Sequence, residues 1–213
     1  MFRKLASNLI LLLAAHTLVA ADPIRILAVT GGSPVLNDAK AAFDRQYGAN
    51  LITLENIAGK PTPEQMRTAR VLFFFHPDEQ MMISIGPQAQ AANRRGAQII
   101  VTPQYFVPRQ WGFEQDKKRA DIAEQYWSYG GVENLTALLA YMYQQAGGAK
   151  KVTVPPPVPL AQSGIYHPRA TRSFQDLADF FSWYQKDKPT RPVVALTIFN
   201  TNIKQRNLAH IKS

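Results

Sequence analysis

IRILAVTGGSP, Ile24 to Pro34, decides how the first half of this chain is read. Its first seven residues are mostly apolar and rich in β-branched side chains, and Gly31-Gly32-Ser33-Pro34 closes them off with turn residues. That pattern predicts a buried strand ending in a tight loop. Ala39 to Tyr47 then has helix character, and Asn50 to Leu54 is a second short strand. At Thr62-Pro63-Glu64 a hydroxyl can cap a helix and proline suits its first position. Val71 to Phe75 and Ile99 to Val101 are the third and fourth strands, each preceded by a polar helical stretch. Strands and helices alternating at this spacing imply a parallel sheet covered on both faces, an α/β domain of Rossmann-like or flavodoxin-like type.

The chain has 213 residues, 46% of them hydrophobic, which suits one good core and part of another. With 24 Lys and Arg against 15 Asp and Glu, it carries a formal charge of +9. Such a balance suits anionic lipid, nucleic acid or a carboxylate-bearing ligand, but the charges are scattered rather than gathered on one motif. Met1 to Ala21, MFRKLASNLILLLAAHTLVAA, sets Arg3 and Lys4 before an apolar run and ends on Val19, Ala20 and Ala21. It reads as a secretory signal peptide. Its apolar core is shorter than the roughly 20 residues that span a bilayer. Export to a periplasm, or secretion, is the expected destination, with the membrane met only through the leader. The absence of cysteine excludes disulfides, a lipid-modified amino-terminal Cys and any thiolate metal site.

After Thr102-Pro103 the pattern loosens around Trp111 and Phe113, and Asp116 to Gln125 reads as a polar helix. YWSYGGVENL, Tyr126 to Leu135, follows. Two adjacent glycines cost about 2 kcal/mol relative to alanine inside a helix, so Gly130-Gly131 is expected to end one element and let another begin. Val132 to Gln145, with Leu135, Leu138, Leu139 and Met142 three and four apart, is expected to be an amphipathic helix, closed by Gly147-Gly148 in a left-handed cap. VTVPPPVP, Val152 to Pro159, reads as an extended polyproline-like connector and the best candidate boundary. Beyond it, Ser173 and Asp176 have capping-box spacing, and Leu177, Phe180, Phe181 and Tyr184 form one apolar face. Val193 to Phe199 reads as another buried strand. The expected organisation is a leader at 1–21, an α/β domain at 22–150, a connector at 151–163 and the start of a second α/β unit at 164–213.

In open α/β sheets ligands bind beyond the carboxyl ends of the strands. Four loops qualify: Gly31 to Pro34, His76 to Glu79, Thr102 to Tyr105, and Asn200 to Asn202. The first has neither GxGxxG nor GxxxxGK spacing, so dinucleotide or P-loop binding is not indicated. His76-Pro77-Asp78-Glu79 sets an imidazole and two carboxylates directly after a strand, suited to a metal or a proton transfer, or else to capping the next helix. Tyr166-His167-Pro168 follows the connector. There a histidine can serve as axial ligand to a tetrapyrrole metal, or simply shape a turn before proline. His76 and His167 are thus the metal candidates. Tyr126, Trp127 and Tyr129 can stack on a flat ring or pack in a core, and Glu133 and Asn134 can hold a loop by hydrogen bonding to its free N–H groups. No GxSxG elbow and no nucleic-acid recognition motif is present.

YWSYGGVENL, GIYHPRATRSFQDLADFFSWY (Gly164 to Tyr184) and RPVVALTIFNTNIKQRNLAHI (Arg191 to Ile211) together resemble the amino-terminal part of the CobN/magnesium-chelatase large-subunit family. The resemblance implies a tetrapyrrole-binding protein related to subunits that insert cobalt or magnesium into a macrocycle, with separate ATPase subunits as partners. Family members are several times longer, and the residues held responsible for insertion lie outside the matching parts. No catalytic residue is carried over. Tyr126, Trp127, Gly130, Gly131, Glu133, Asn134, Tyr166 and His167 are the family-like ligand-binding candidates. A periplasm holds no ATP, so an exported relative is expected to bind, deliver or strip the metal of a tetrapyrrole, whether cobalt, magnesium or iron, beside transport or chelatase subunits. The expectation is an amino-terminal fragment of an exported CobN-like protein without complete chelatase activity. The alternative is a stand-alone periplasmic α/β module for a small ligand.

Overall fold

The computed structural model describes residues 22–102, 116–159, 164–165, 174 and 176–184. The expected leader and the expected strand at Val193 to Phe199 lie outside them. Four strands, β1 (Ile24–Val29), β2 (Ile52–Ile57), β3 (Val71–Phe75) and β4 (Gln98–Thr102), form one sheet in the order β2-β1-β3-β4. All three pairings are parallel, with Ile26 opposite both Leu54 and Val71, and Val71 opposite Gln98. This is the flavodoxin-like order, with its switch point between β1 and β3.

Three strands fall within a residue or two of the sequence reading. The second lies further along, because Asn50 turns the chain at φ +68° and pairing begins at Ile52. Its carboxyl half, Leu54-Glu55-Asn56-Ile57, is a half-exposed edge that looks polar in sequence.

Successive residues of β1, β3 and β4 point alternately to two cores. Leu27, Val29, Leu72, Phe74, Ile99 and Val101 meet Met66 of α2 (Pro63–Thr68) and Met82, Ile85 and Ala89 of α3 (Glu79–Arg94). Ile26, Ala28, Val71, Phe73 and Ile100 meet the opposite layer, α1 (Pro34–Tyr47), α4 (Lys117–Tyr129) and α5 (Gly131–Gln145). The Thr62 hydroxyl caps α2 as expected, and Gln65 completes a capping box: Gln65 N–H donates to Thr62 Oγ1 at 3.2 Å and Thr62 N–H to Gln65 Oε1 at 2.8 Å.

Gly130, at φ +65°, closes α4 and opens α5 at once, which is the break the two glycines predict. The amphipathic reading of α5 needs correcting, since every residue from Asn134 to Tyr143 is buried. The helix lies against α1, where Thr136 Oγ1 donates to Ala39 O at 3.3 Å, and against α4. The connector covers part of what remains, with Val152 buried in the same core. Gly147 N–H donates to Gln144 O and Gly148 N–H to Tyr143 O, both at 3.0 Å, the paired bonds of a Schellman cap.

Beyond the connector, Ile165 and Phe174 pair antiparallel through both backbone bonds, at 2.8 and 2.9 Å. Helix α6 (Leu177–Tyr184) starts one residue after Asp176, whose carboxylate accepts Asp179 N–H at 2.8 Å. Asp176 is therefore the cap itself rather than the distal member of a box, while Ser173 lies outside the described residues. The expected apolar face is also revised. Phe180 is buried against Phe174, whereas Leu177 and Phe181 are 61% and 47% exposed. Phe174 collects Phe180 and Trp183 around itself, and that choice rotates the helix away from its simplest apolar stripe.

Candidate functional site

The carboxyl edge of the sheet gathers residues that are far apart in sequence. After β1, Gly31 and Gly32 both adopt left-handed conformations, φ +71° and +70°, which glycine reaches without a Cβ penalty. Thr30 Oγ1 donates to Asn56 Oδ1 at 2.6 Å, and Asn56 Nδ2 donates to Ser33 O at 2.7 Å and to Asn37 Oδ1 at 3.1 Å. These bonds tie the first loop to the end of the edge strand and fix where α1 begins.

His76 follows β3 at φ +43°, a costly conformation for a residue with a side chain. Its backbone N–H donates to Thr102 O at 2.8 Å, joining the carboxyl ends of β3 and β4. Its exposed ring stands edge-on to Phe75 at 4.6 Å between centroids. Trp127 lies on the same Phe75 at 4.7 Å and reaches Phe73 at 5.5 Å. Phe75, His76 and Trp127 thus make an aromatic shelf beside the switch point. Asp78 is used as the cap of α3, its Oδ1 accepting Met81 N–H at 2.8 Å, and Glu79 sits in the first turn, where the helix dipole favours it. Thr102 is fully buried, with no hydrogen-bond partner for its Oγ1 among the described residues.

Members of YWSYGGVENL separate by role. Tyr126 is 2% exposed, and its hydroxyl donates to Pro155 O. Burial, and secondarily Tyr141, raises its pKa above the usual tyrosine range; burial does the same to Tyr141. Asn134 donates to Gly130 O and Val158 O and accepts Val158 N–H. Gly130 and Gly131 form the helix junction, and Glu133 occupies the first turn of α5. Trp127, half-buried, is the member that reaches the sheet's carboxyl edge. Tyr166 and His167 lie outside the described residues, between the paired Ile165 and Phe174.

Phe75 was not singled out by sequence reasoning, because it reads as an ordinary strand residue; Thr102 opened a candidate loop, and the structure makes it the last residue of β4, joined to His76 by strand register.

Among the described residues no group of three or more His, Cys, Asp or Glu side chains is placed to hold a metal ion. A bare ion therefore finds no ligand set there. A metal inside a tetrapyrrole brings its in-plane nitrogens with it and asks the protein for an axial donor, which a single exposed histidine on an aromatic shelf can provide. The donor set fits that second case. Among the described residues no helix is long and apolar enough to cross a membrane.

The class defined by this architecture is an α/β protein with a flavodoxin-like parallel sheet. Residues 124–213, less than half of the chain, match the model of the CobN/magnesium chelatase family. No curated protein matches the chain. Among solved structures, the catalytic subunit of cobaltochelatase from Mycobacterium tuberculosis is similar at 16% identity and a TM-score of 0.46, over 71% of this chain and 12% of that one. The chain thus spans only a small part of that subunit's length.

Proposed function

We propose that this chain is an exported CobN-like module that binds a tetrapyrrole carrying cobalt, magnesium or iron, and that it does not complete metal insertion by itself. The carrying observation is the CobN/magnesium chelatase match over residues 124–213, which begins inside α4 and so includes Trp127. In this reading Trp127 and Phe75 offer an aromatic surface to the macrocycle and His76 an axial nitrogen, with His167 the second candidate donor.

Titration of the mature protein with haem, a cobalt corrinoid and a metal-free porphyrin, followed by absorbance, tests this. A Soret shift with haem is expected, diminished in His76→Asn, which tolerates the left-handed backbone, or in His167→Ala. No spectral change with any of the three, in a protein that stays folded, would defeat the proposal. The second reading, a module for a small ligand, is favoured by the open space around Gly31 and by the Thr102 hydroxyl. It predicts small-molecule binding that His76→Asn disturbs and tetrapyrroles do not compete for.

A further inference from the structure

The connector is fastened by a pattern that its sequence spacing explains. Val154, Pro155, Pro156 and Val158 each precede a proline, which confines them to extended backbone, and each proline fixes its own φ. Such a segment repeats about every three residues, so carbonyls three apart face the same way. Gln144 Nε2 donates to Val152 O, the Tyr126 hydroxyl to Pro155 O, and Asn134 Nδ2 to Val158 O at 2.8 Å. The three acceptors are residues 152, 155 and 158, and all three donors come from α4 and α5.

Between residues 155 and 159, PPPVP, Val158 carries the only backbone N–H, and it donates to Asn134 Oδ1 at 2.9 Å. One amide side chain thus pairs with both polar groups of one residue, as a strand partner would. The Val158 side chain takes no part in this fastening, being 60% exposed. Tyr47 adds a fifth bond, from α1, its hydroxyl donating to Thr153 O at 2.6 Å.

We infer that residues 152–158 are a polyproline-type latch bound in cis by the α4–α5 face, and that Asn134 is its register pin. Gln144 and Tyr126 each make one bond to the segment, by donating to a carbonyl, which any carbonyl of a threefold segment can accept. Asn134 requires an N–H and a C=O on the same residue, and within PPPVP only Val158 has both. Register along residues 152–158 is set there. This inference is independent of whether a tetrapyrrole binds.

Residue-resolved amide exchange on the full chain tests it, with the Val158 amide as reporter and the Leu138 amide in α5 as reference. Asn134→Ala is expected to speed Val158 exchange by about tenfold or more, as befits loss of a buried paired amide, while Leu138 is unchanged. Deleting Pro156 leaves Val158 as the only residue of the shortened PPVP with both an N–H and a C=O, so Val158 is expected to stay on Asn134 and keep its protection while the carbonyls before it move by one position. Tyr126→Phe, which removes a bond without register information, is expected to leave Val158 protected. Selective loss of Val158 protection in the Pro156 deletion, or its retention in Asn134→Ala, would overturn the register assignment. Equal acceleration of Val158 and Leu138 in Asn134→Ala would overturn the latch as a separate unit.

Discussion

Leu72 and Phe73 are neighbours on β3, both fully buried, and they face two differently assembled layers. Leu72 meets α2 and α3, whose chain lies between β2 and β4, so that core is made within residues 27–101. Phe73 meets α1 and then residues from Ala123 to Val152, contributed after the sheet is complete. The first layer is a sequence-local cover. The second depends on residues 123–146 returning to the sheet, with the connector folded over them. What reads in sequence as a family marker ahead of a linker is also half of a hydrophobic core.

The contrast can be broken or sharpened by substitution. The largest effect is expected from Phe73→Ala, about 3–5 kcal/mol of stability lost in urea unfolding from the cavity and the missing ring. Leu72→Ala on the other face is expected to cost about 2–5 kcal/mol. Phe73→Ala should also raise exchange at Val158, since Phe73 supports Trp127 of α4; if Leu72→Ala does so equally, the two layers are not separable.

Next is Gly148→Ala. An added Cβ would meet the Tyr143 ring at 2.3 Å, and overpacking of this kind costs about 1–3 kcal/mol. Gly147→Ala meets nothing within 4 Å but stands at φ +79°, so about 1 kcal/mol is expected from backbone strain alone. Thermal unfolding of the pair separates steric from conformational cost at the end of α5.

On the local layer, Thr62→Ala removes the capping box of α2 and is expected to cost about 1 kcal/mol by urea unfolding. No change at Val158 should accompany it.

The smallest effect belongs to pH. Tyr126 and Tyr141 have pKa values raised by burial in the folded state. The unfolded chain therefore releases those protons first as pH rises past about 10. The stabilising contribution is complete below that value and is lost on going up through the folded pKa. Tyr126→Phe is expected to make the alkaline unfolding transition shallower, measured by circular dichroism between pH 9 and 12.

The sheet was legible because its determinants are local. IRILAVT and VLFFF are largely apolar runs, and Thr62-Pro63 and Gly130-Gly131 punctuate helices through bonds or dihedrals within a few residues. The carboxyl-edge shelf was only partly legible. His76 stood out by its residue type, but Phe75 and Trp127 read as core aromatics, and nothing in either segment shows that they meet. Helix α6 shows the same limit: Leu177, Phe180, Phe181 and Tyr184 satisfy the helical period, but Phe174, outside the helix, selects the face that is buried.

Sequence by itself determined three of the four strands, the Thr62 cap, the helix break at Gly130 and the extended character of PPPVP, because each follows from sterics and hydrogen bonding over a few residues. Tertiary structure alone decided that Asn134 holds Val158, 24 residues away, that Tyr126 bonds Pro155, 29 away, and that Thr30 finds Asn56, 26 away. Those partners are set by how the parallel strands register and how α4 and α5 fold back on the sheet. A polar side chain in isolation names what it can bond, not which backbone will be carried to it.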